Sequence, residues 1–258
     1  MIVQLLSDLH LETERFDPEP APGAEVLVLG GDIDSGWAAY ERFADWPVPV
    51  LAVAGNHEFD GRELDHAWPA LHAHCARLGI TLLERQAVVL TGADGRRVRF
   101  VGSVRWSDFD AFGPARRDKA MRAAGYFLHL MAGTRGGAPL DAGAVRAEAL
   151  ACRDWLATAL AEPAAGRWDA TVCITHFAPS LRSADPRYGH QAGTASFCND
   201  DDELLALADL WLHGHLHCRH DYPVAGAGQA RGRVVCQSRG MANKGEDLGF
   251  DPWTLFPV

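Results

Sequence analysis

The chain has 258 residues, 48% of them hydrophobic and 22% charged, which is enough apolar material for a large core and too little charge for disorder to be the default. A formal net charge of -10 argues against generic binding to DNA, RNA or an anionic membrane surface, because those contacts need Lys and Arg.

Three short apolar runs come first. Ile2-Val3-Gln4-Leu5-Leu6 leads into Ser7-Asp8-Leu9-His10. Val26-Leu27-Val28-Leu29 leads into Gly30-Gly31-Asp32, and Val50-Leu51-Ala52-Val53-Ala54 into Gly55-Asn56-His57-Glu58. Such runs, bounded by turn residues, read as strands buried on both faces of an α/β sheet. Residues 37–45 and 61–78 read as helices. Residues 81–83, 88–90 and 98–101 look like further strands, with a turn at Ala93-Asp94-Gly95. Residues 116–131 and 141–161 have helical spacing, joined by a Gly-rich link over 133–139. Thr171-Val172-Cys173-Ile174-Thr175 is a strand ending in His176, followed by a long polar loop over 180–196. Residues 201–208 read as a short helix with an acidic first turn. Leu210-Trp211-Leu212 is a strand that runs into His213-Gly214-His215-Leu216-His217. A hairpin of residues 222–224 and 234–236 around 226–232 follows, and residues 238–252 suggest a lid over the sheet end.

No internal repeat or linker interrupts this order, so a single domain over 1–258 is expected. The six cysteines lie far apart and form no C-x-x-C pair, which suits reduced thiols of a cytosolic protein. No basic n-region precedes the first apolar run, and no apolar run is long enough to span a membrane, so a soluble, cytoplasmic protein is expected.

Five strand ends deliver the same residue types: Asp8 and His10, Asp32, Asn56 with His57, His176, and His215 with His217. In an open α/β sheet that rim is where ligands bind. Carboxylates mixed with imidazoles suit Mn, Fe or Zn better than Mg or Ca, which prefer all-oxygen sites. Alternation along an extended chain would point Asp8 and His10 the same way, and likewise His215 and His217. Each piece alone is weak; their joint occurrence at strand ends is the signal.

The order D-x-H, G-D, G-N-H-E, H, G-H-x-H resembles the calcineurin-like metallophosphoesterase superfamily, over nearly the whole stretch from Asp8 to His217. The resemblance implies a four-layer α/β/β/α sandwich of two mixed sheets, with a dinuclear metal centre (Mn, Fe or Zn) at the strand C-terminal ends. One metal would be held by Asp8, His10, Asp32 and His217, the other by Asp32, Asn56, His176 and His215, with Asp32 bridging. A metal-activated hydroxide would attack phosphorus in line. Asn56 would steady the phosphoryl oxygens, and His57, assigned to neither metal, would protonate the leaving oxygen. Two departures stand out. Where many members carry a second Asp three residues after the bridging one, this chain has Ser35, with Asp34 beside it. The fourth motif has Phe177 where some relatives carry a second His.

Other histidines fit the site less well. His72 and His74 fall two apart in a helix and read as surface residues. His213 reads as buried, and His220 is a candidate behind the ligands. Glu58 is expected to cap a turn or the following helix. For the substrate, Trp106 or Phe109 could stack on a nucleobase or aryl group, and Arg105, Arg187 or Arg239 could meet a phosphate. The activity expected is hydrolysis of a small phosphoester, leaning to a phosphodiester, with nucleotides among the candidates. A phosphomonoesterase or protein phosphatase, a nuclease, and a non-catalytic metal-binding scaffold are the competing readings. The acidic balance counts against the nuclease.

Overall fold

The computed structural model describes residues 1–224 and 232–258. In chain order its elements are β1 (Ile2–Leu6), β2 (Val26–Leu29), β3 (Val50–Ala52), α1 (Leu64–Arg77), β4 (Ile80–Leu82), β5 (Gln86–Thr91) and β6 (Arg97–Ser103). There follow α2 (Arg117–Met131), β7 (Thr134–Arg135), β8 (Ala138–Pro139), α3 (Ala142–Ala161), β9 (Ala170–Thr175), α4 (Asp202–Leu205), β10 (Leu210–His213), β11 (Arg219–Val224), β12 (Gly232–Gln237) and β13 (Leu255–Pro257).

The strands form two large mixed sheets, ordered β13-β1-β2-β3-β4 and β11-β12-β10-β9-β6-β5. Alternation sorts the side chains. Val26 and Val28 of β2 join Val172, Ile174, Leu210 and Leu212 in the core between the sheets. Leu27 and Leu29 point the other way, into the core under α1 with Leu71 and Cys75. On the far side, Cys173 and Trp211 pack with Leu156 and Leu160 of α3 and Leu204 and Leu205 of α4. Each central strand is thus covered on both faces, which is why these segments are continuous apolar runs. The result is the expected α/β/β/α sandwich.

The differences from expectation are local. Residues 37–45 form a 3-10 helix, Ala38–Phe43, not an α-helix. The 133–139 link contains the β7–β8 hairpin. β11 and β12 pair as the expected hairpin, but residues 225–231 of its turn lie outside the described residues. The terminal stretch ends as a strand, with β13 antiparallel on the edge beside β1. All six cysteines are free. Among the described residues no helix is long and apolar enough to cross a membrane.

One polar contact in the interior fixes the wall beside the strand ends. Arg105 is fully buried and grips Asp201 with two bonds, Nε to Oδ2 at 2.9 Å and Nη2 to Oδ1 at 2.8 Å. It also bonds Asp108 Oδ2 at 2.8 Å and the carbonyl of Trp106 at 2.9 Å. The planar fork satisfies both carboxylates, and removing it would leave Asp201, buried in the interior, with only the longer 3.4 Å contact to Arg153 Nε. Arg105→Ala is therefore expected to cost about 2–4 kcal/mol in urea unfolding, towards the low end of the range for a broken buried pair because Arg153 remains. Arg105→Lys should recover little of this, because an ammonium cannot reproduce the fork. A loss under about 1 kcal/mol in the Ala variant would contradict this anchoring role.

Candidate functional site

β1, β2 and β3 run parallel in one sheet, and β9 and β10 run parallel in the other. Their C-terminal ends carry Asp8, Asp32, Asn56, His176 and His215 to one rim. The chain must turn sharply there to aim short side chains inward. Asp8, His10, Asp32, His215 and His217 accordingly adopt left-handed backbone, with φ of 55°, 47°, 52°, 72° and 49°. That conformation costs an L-residue roughly 1–2 kcal/mol, and such strain collects at functional sites. Gly55 is required by space: a Cβ there would overlap Asp32 Oδ1.

Two groups of side chains converge, Asp8 with His10 and His217, and Asp32 with His176 and His215; in each, the donor atoms lie within 4.8 Å of one another. Asp8 and His10 share a group, as alternation suggests. His215 and His217 part into different groups, because positive φ at both breaks the extended alternation.

The imidazole hydrogen bonds set what each ring offers. His10 Nδ1 donates to Glu12 at 3.1 Å, His217 Nδ1 to Glu246 at 2.6 Å, and His176 Nδ1 to the Gly30 carbonyl at 2.8 Å. Whenever such a ring is neutral, it presents an Nε2 lone pair inward. His10 Nε2 and His217 Nε2 face each other at 3.0 Å. His176 Nε2 lies 3.2 Å from both Asn56 Oδ1 and Asp32 Oδ2. His215 Nε2 is buried and has no hydrogen-bond partner among the described residues. Asp8 Oδ2 accepts from Ser7 at 2.5 Å and Ser238 at 2.6 Å, which holds the carboxylate in place. Acceptors gathered this closely must share protons or cations, and the mix of imidazole nitrogen and carboxylate oxygen fits two metal ions of the nitrogen- and oxygen-liking kind.

Beside the groups stands His57. Its backbone N–H donates to Asp32 Oδ1 at 2.8 Å, and its Nδ1 pairs with Asp60 Oδ2 at 2.7 Å. Burial works against its charged form, but the Asp32 and Asp60 carboxylates outweigh burial and lift its pKa to about 10. Asp34 does not reach His57. It is buried, not a surface carboxylate, and it caps a turn by accepting from the Gly36 and Ala39 N–H groups at 2.8 Å and 2.7 Å. Glu58 is no ligand either. It accepts from the N–H groups of Asp32, Ile33 and Gly55 and from the Tyr40 hydroxyl, tying the ends of β2 and β3 together. Glu246 is held down at about 2: burial opposes its charge, but the bonds from His217 and Met241 prevail.

A cleft of about 890 Å³ opens from Asp32, Asn56, His57, His215 and His217. Phe177, in the place of a second histidine, packs its ring 4.1 Å from that of His215. Trp106 and Phe109 also line the cleft, but both are buried, and Trp106 is packed between Phe59 and Phe177 with no free face for a base. Of the expected phosphate-binding arginines, Arg105 is spent on Asp201 and Arg239 on Glu14. Arg187 does line the cleft, paired with Asp185. His72 and His74 lie in α1, half-buried rather than exposed, with His74 bonded to the Trp37 carbonyl. His213 is buried, which drives its pKa down to about 3. His220 turns to Cys218 Sγ at 3.1 Å and supports no ligand.

Several residues escaped the sequence reading. Asp60 had a signal, since positions i and i+3 eclipse on the 3-10 turn His57–Phe59. Glu12 and Glu246, behind His10 and His217, had none. The only two lysines of the chain, Lys119 and Lys244, both line the cleft.

Residues 3–219 match the family model of calcineurin-like phosphoesterases. No curated protein matches the chain. Among solved structures, phosphopantetheinyl hydrolase from Mycobacterium tuberculosis is similar at 17% identity and a TM-score of 0.73, over 99% of this chain and 95% of that one. This likeness concerns the fold. A 5'-nucleotidase precursor from Thermus thermophilus aligns at 12% identity and a TM-score of 0.49, over 92% of this chain and 48% of that one. A dimetal phosphatase from Danio rerio aligns at 12% identity and a TM-score of 0.47, over 91% and 86%.

If cations relieve the facing lone pairs, they must stabilise the fold. Adding Mn²⁺ to chelator-treated protein at about a hundred times its dissociation constant should add about 2.7 kcal/mol per site, raising the melting temperature by about 5–10 °C for each. A melting temperature indifferent to Mn²⁺, Fe²⁺ and Zn²⁺ would count against metal binding here.

Proposed function

Because the chain belongs to the calcineurin-like phosphoesterase family, we propose that it is a dinuclear metal-dependent hydrolase of small phosphodiesters, built as a single domain over 1–258. One metal would be held by Asp8, His10, Asp32 and His217, and the other by Asp32, Asn56, His176 and His215. The observation that carries this reading is the common orientation of His10, His176 and His217, each with Nδ1 engaged outside the site and Nε2 turned inward. Cations held there would supply polarisation of the phosphoryl oxygens and a bound water of lowered pKa.

The chain's own groups do the rest. With Asn56 Oδ1 turned to His176, its Nδ2 remains to donate to a phosphoryl oxygen. Asp60 fixes His57 Nδ1, so the proton for the leaving oxygen sits on Nε2. The lean to a diester rests on charge. Apart from His57, the basic side chains lining the cleft are Lys119, Arg187 and Lys244, and Arg187 is already paired with Asp185. A monoester, with about two negative charges near neutral pH, asks for more than this.

A hydrolysis panel in Mn²⁺ tests the reading, comparing bis(4-nitrophenyl) phosphate, 4-nitrophenyl phosphate, cyclic nucleotides and single-stranded DNA, with Asp32→Ala as the blank. The diester should turn over fastest. A faster monoester would move the protein to the phosphomonoesterases. No turnover with both metals bound would leave a binding scaffold.

The role of His57 has its own signature. For an alkyl leaving group, His57→Ala should lower kcat about 10²–10⁴-fold. For 4-nitrophenol, which leaves without a proton, the loss should be much smaller. Equal losses on the two would show that His57 does not protonate the leaving oxygen.

A further inference from the structure

α2 is exposed on a face that apolar side chains occupy. Ala123, Phe127 and Leu130 follow one another at helical spacing and all line the cleft that begins at His57 and His215. Phe127 is 45% exposed and Leu130 62%, and Tyr188 across the cleft is 65% exposed. Single exposed apolar residues are ordinary, but a contiguous set running into a catalytic cleft marks a binding surface.

The set is continuous with the site. The Phe197 ring stands 5.2 Å from that of His215, and the Phe127 ring 5.4 Å from Phe197. An apolar path therefore leads from a candidate metal ligand to the open face of α2. Of the polar groups along it, Thr194 Oγ1 donates to the Gly189 carbonyl and Ser107 Oγ to that of Ala195, and Ser196 Oγ and Trp106 Nε1 are buried without a partner among the described residues. Trp106, which could have stacked on a base, is enclosed. A nucleobase would find no free ring face in Trp106 beside the site, the exposed rings being those of Phe127 and Tyr188, whereas a flexible aliphatic chain can follow the whole apolar path without stacking.

We infer that this cleft takes an extended aliphatic arm carried by the substrate's own phosphoester, running from the phosphoryl group along Phe197 and Phe127 to Leu130. This deepens the reading above and rests on it for the placement of the phosphoryl group. The occupant is part of the substrate because the path starts at the site itself.

Calorimetric titration of the Mn²⁺-loaded protein with methyl-, butyl- and octylphosphonate, below their micelle-forming concentrations, reads the arm without turnover. Full burial strengthens binding by up to about 4-fold per methylene. With one side of the cleft open to water, octylphosphonate should bind at least about tenfold tighter than butylphosphonate, with a more negative heat-capacity change. In the double variant Phe127→Ser, Leu130→Ser, whose side chains are exposed enough to spare the fold, the octyl-to-butyl ratio should fall towards one. Equal affinities in the unaltered protein, or a ratio that survives the double variant, would overturn the proposal and leave the patch to a macromolecular partner. The chain-length ratio intact with no turnover of any ester would support the cleft while sinking the hydrolase reading.

Discussion

The structure turns on one electrostatic constraint: acceptor atoms of two carboxylates, an amide and four imidazoles are held almost in contact. The 3.0 Å approach of His10 Nε2 to His217 Nε2 is its sharpest expression. Two neutral rings with engaged Nδ1 atoms gain nothing from that approach on their own. Left-handed backbone at five of the contributing residues adds to the cost. The surrounding fold sustains this arrangement, and cations are what would turn it into a favourable one.

Each supporting feature can be traced to that need. Parallel strands bring several C-terminal ends to one rim without long connections crossing it. Glu58 binds the backbone of two of those ends, so Asp32 and Asn56 are placed by a single carboxylate. Glu12 and Glu246 orient the two facing rings from behind. The terminal segment that carries Glu246 is itself fixed, since β13 pairs with β1 and Gly240 bonds the Asp8 carbonyl. Farther out, the buried Arg105–Asp201 pair sets the wall on which Trp106 and Phe177 lean. The candidate metal ligands, His57 and the apolar cleft are thus layers around one rim.

Much of this was legible in the sequence, for a physical reason. Strands covered on both faces must be apolar throughout, so their ends stand out wherever Asp, Asn or His interrupts. The runs before Asp8, Asp32, Asn56, His176 and His215 show it directly. What escaped depends on contacts between distant segments. Glu246 reaches His217 across 29 positions, and nothing in its neighbourhood marks it. β13 carries too few residues to announce a strand. Arg105 looked like a phosphate binder because sequence gives charge but not burial. The split of His215 and His217 was misjudged on local geometry, since alternation assumes an extended chain and both residues are left-handed. Asp60 is the instructive case: it, and not Asp34, pairs with His57, and only the 3-10 turn brings it there.

The central claim is that two cations occupy the rim, one in each group and both touching Asp32. Anomalous diffraction at the manganese edge from crystals grown with Mn²⁺ tests it most directly. The account predicts two peaks roughly 3.5–4 Å apart, one against His10 and His217 and the other against His176 and His215. No peak, or a single peak at saturating Mn²⁺, would contradict it.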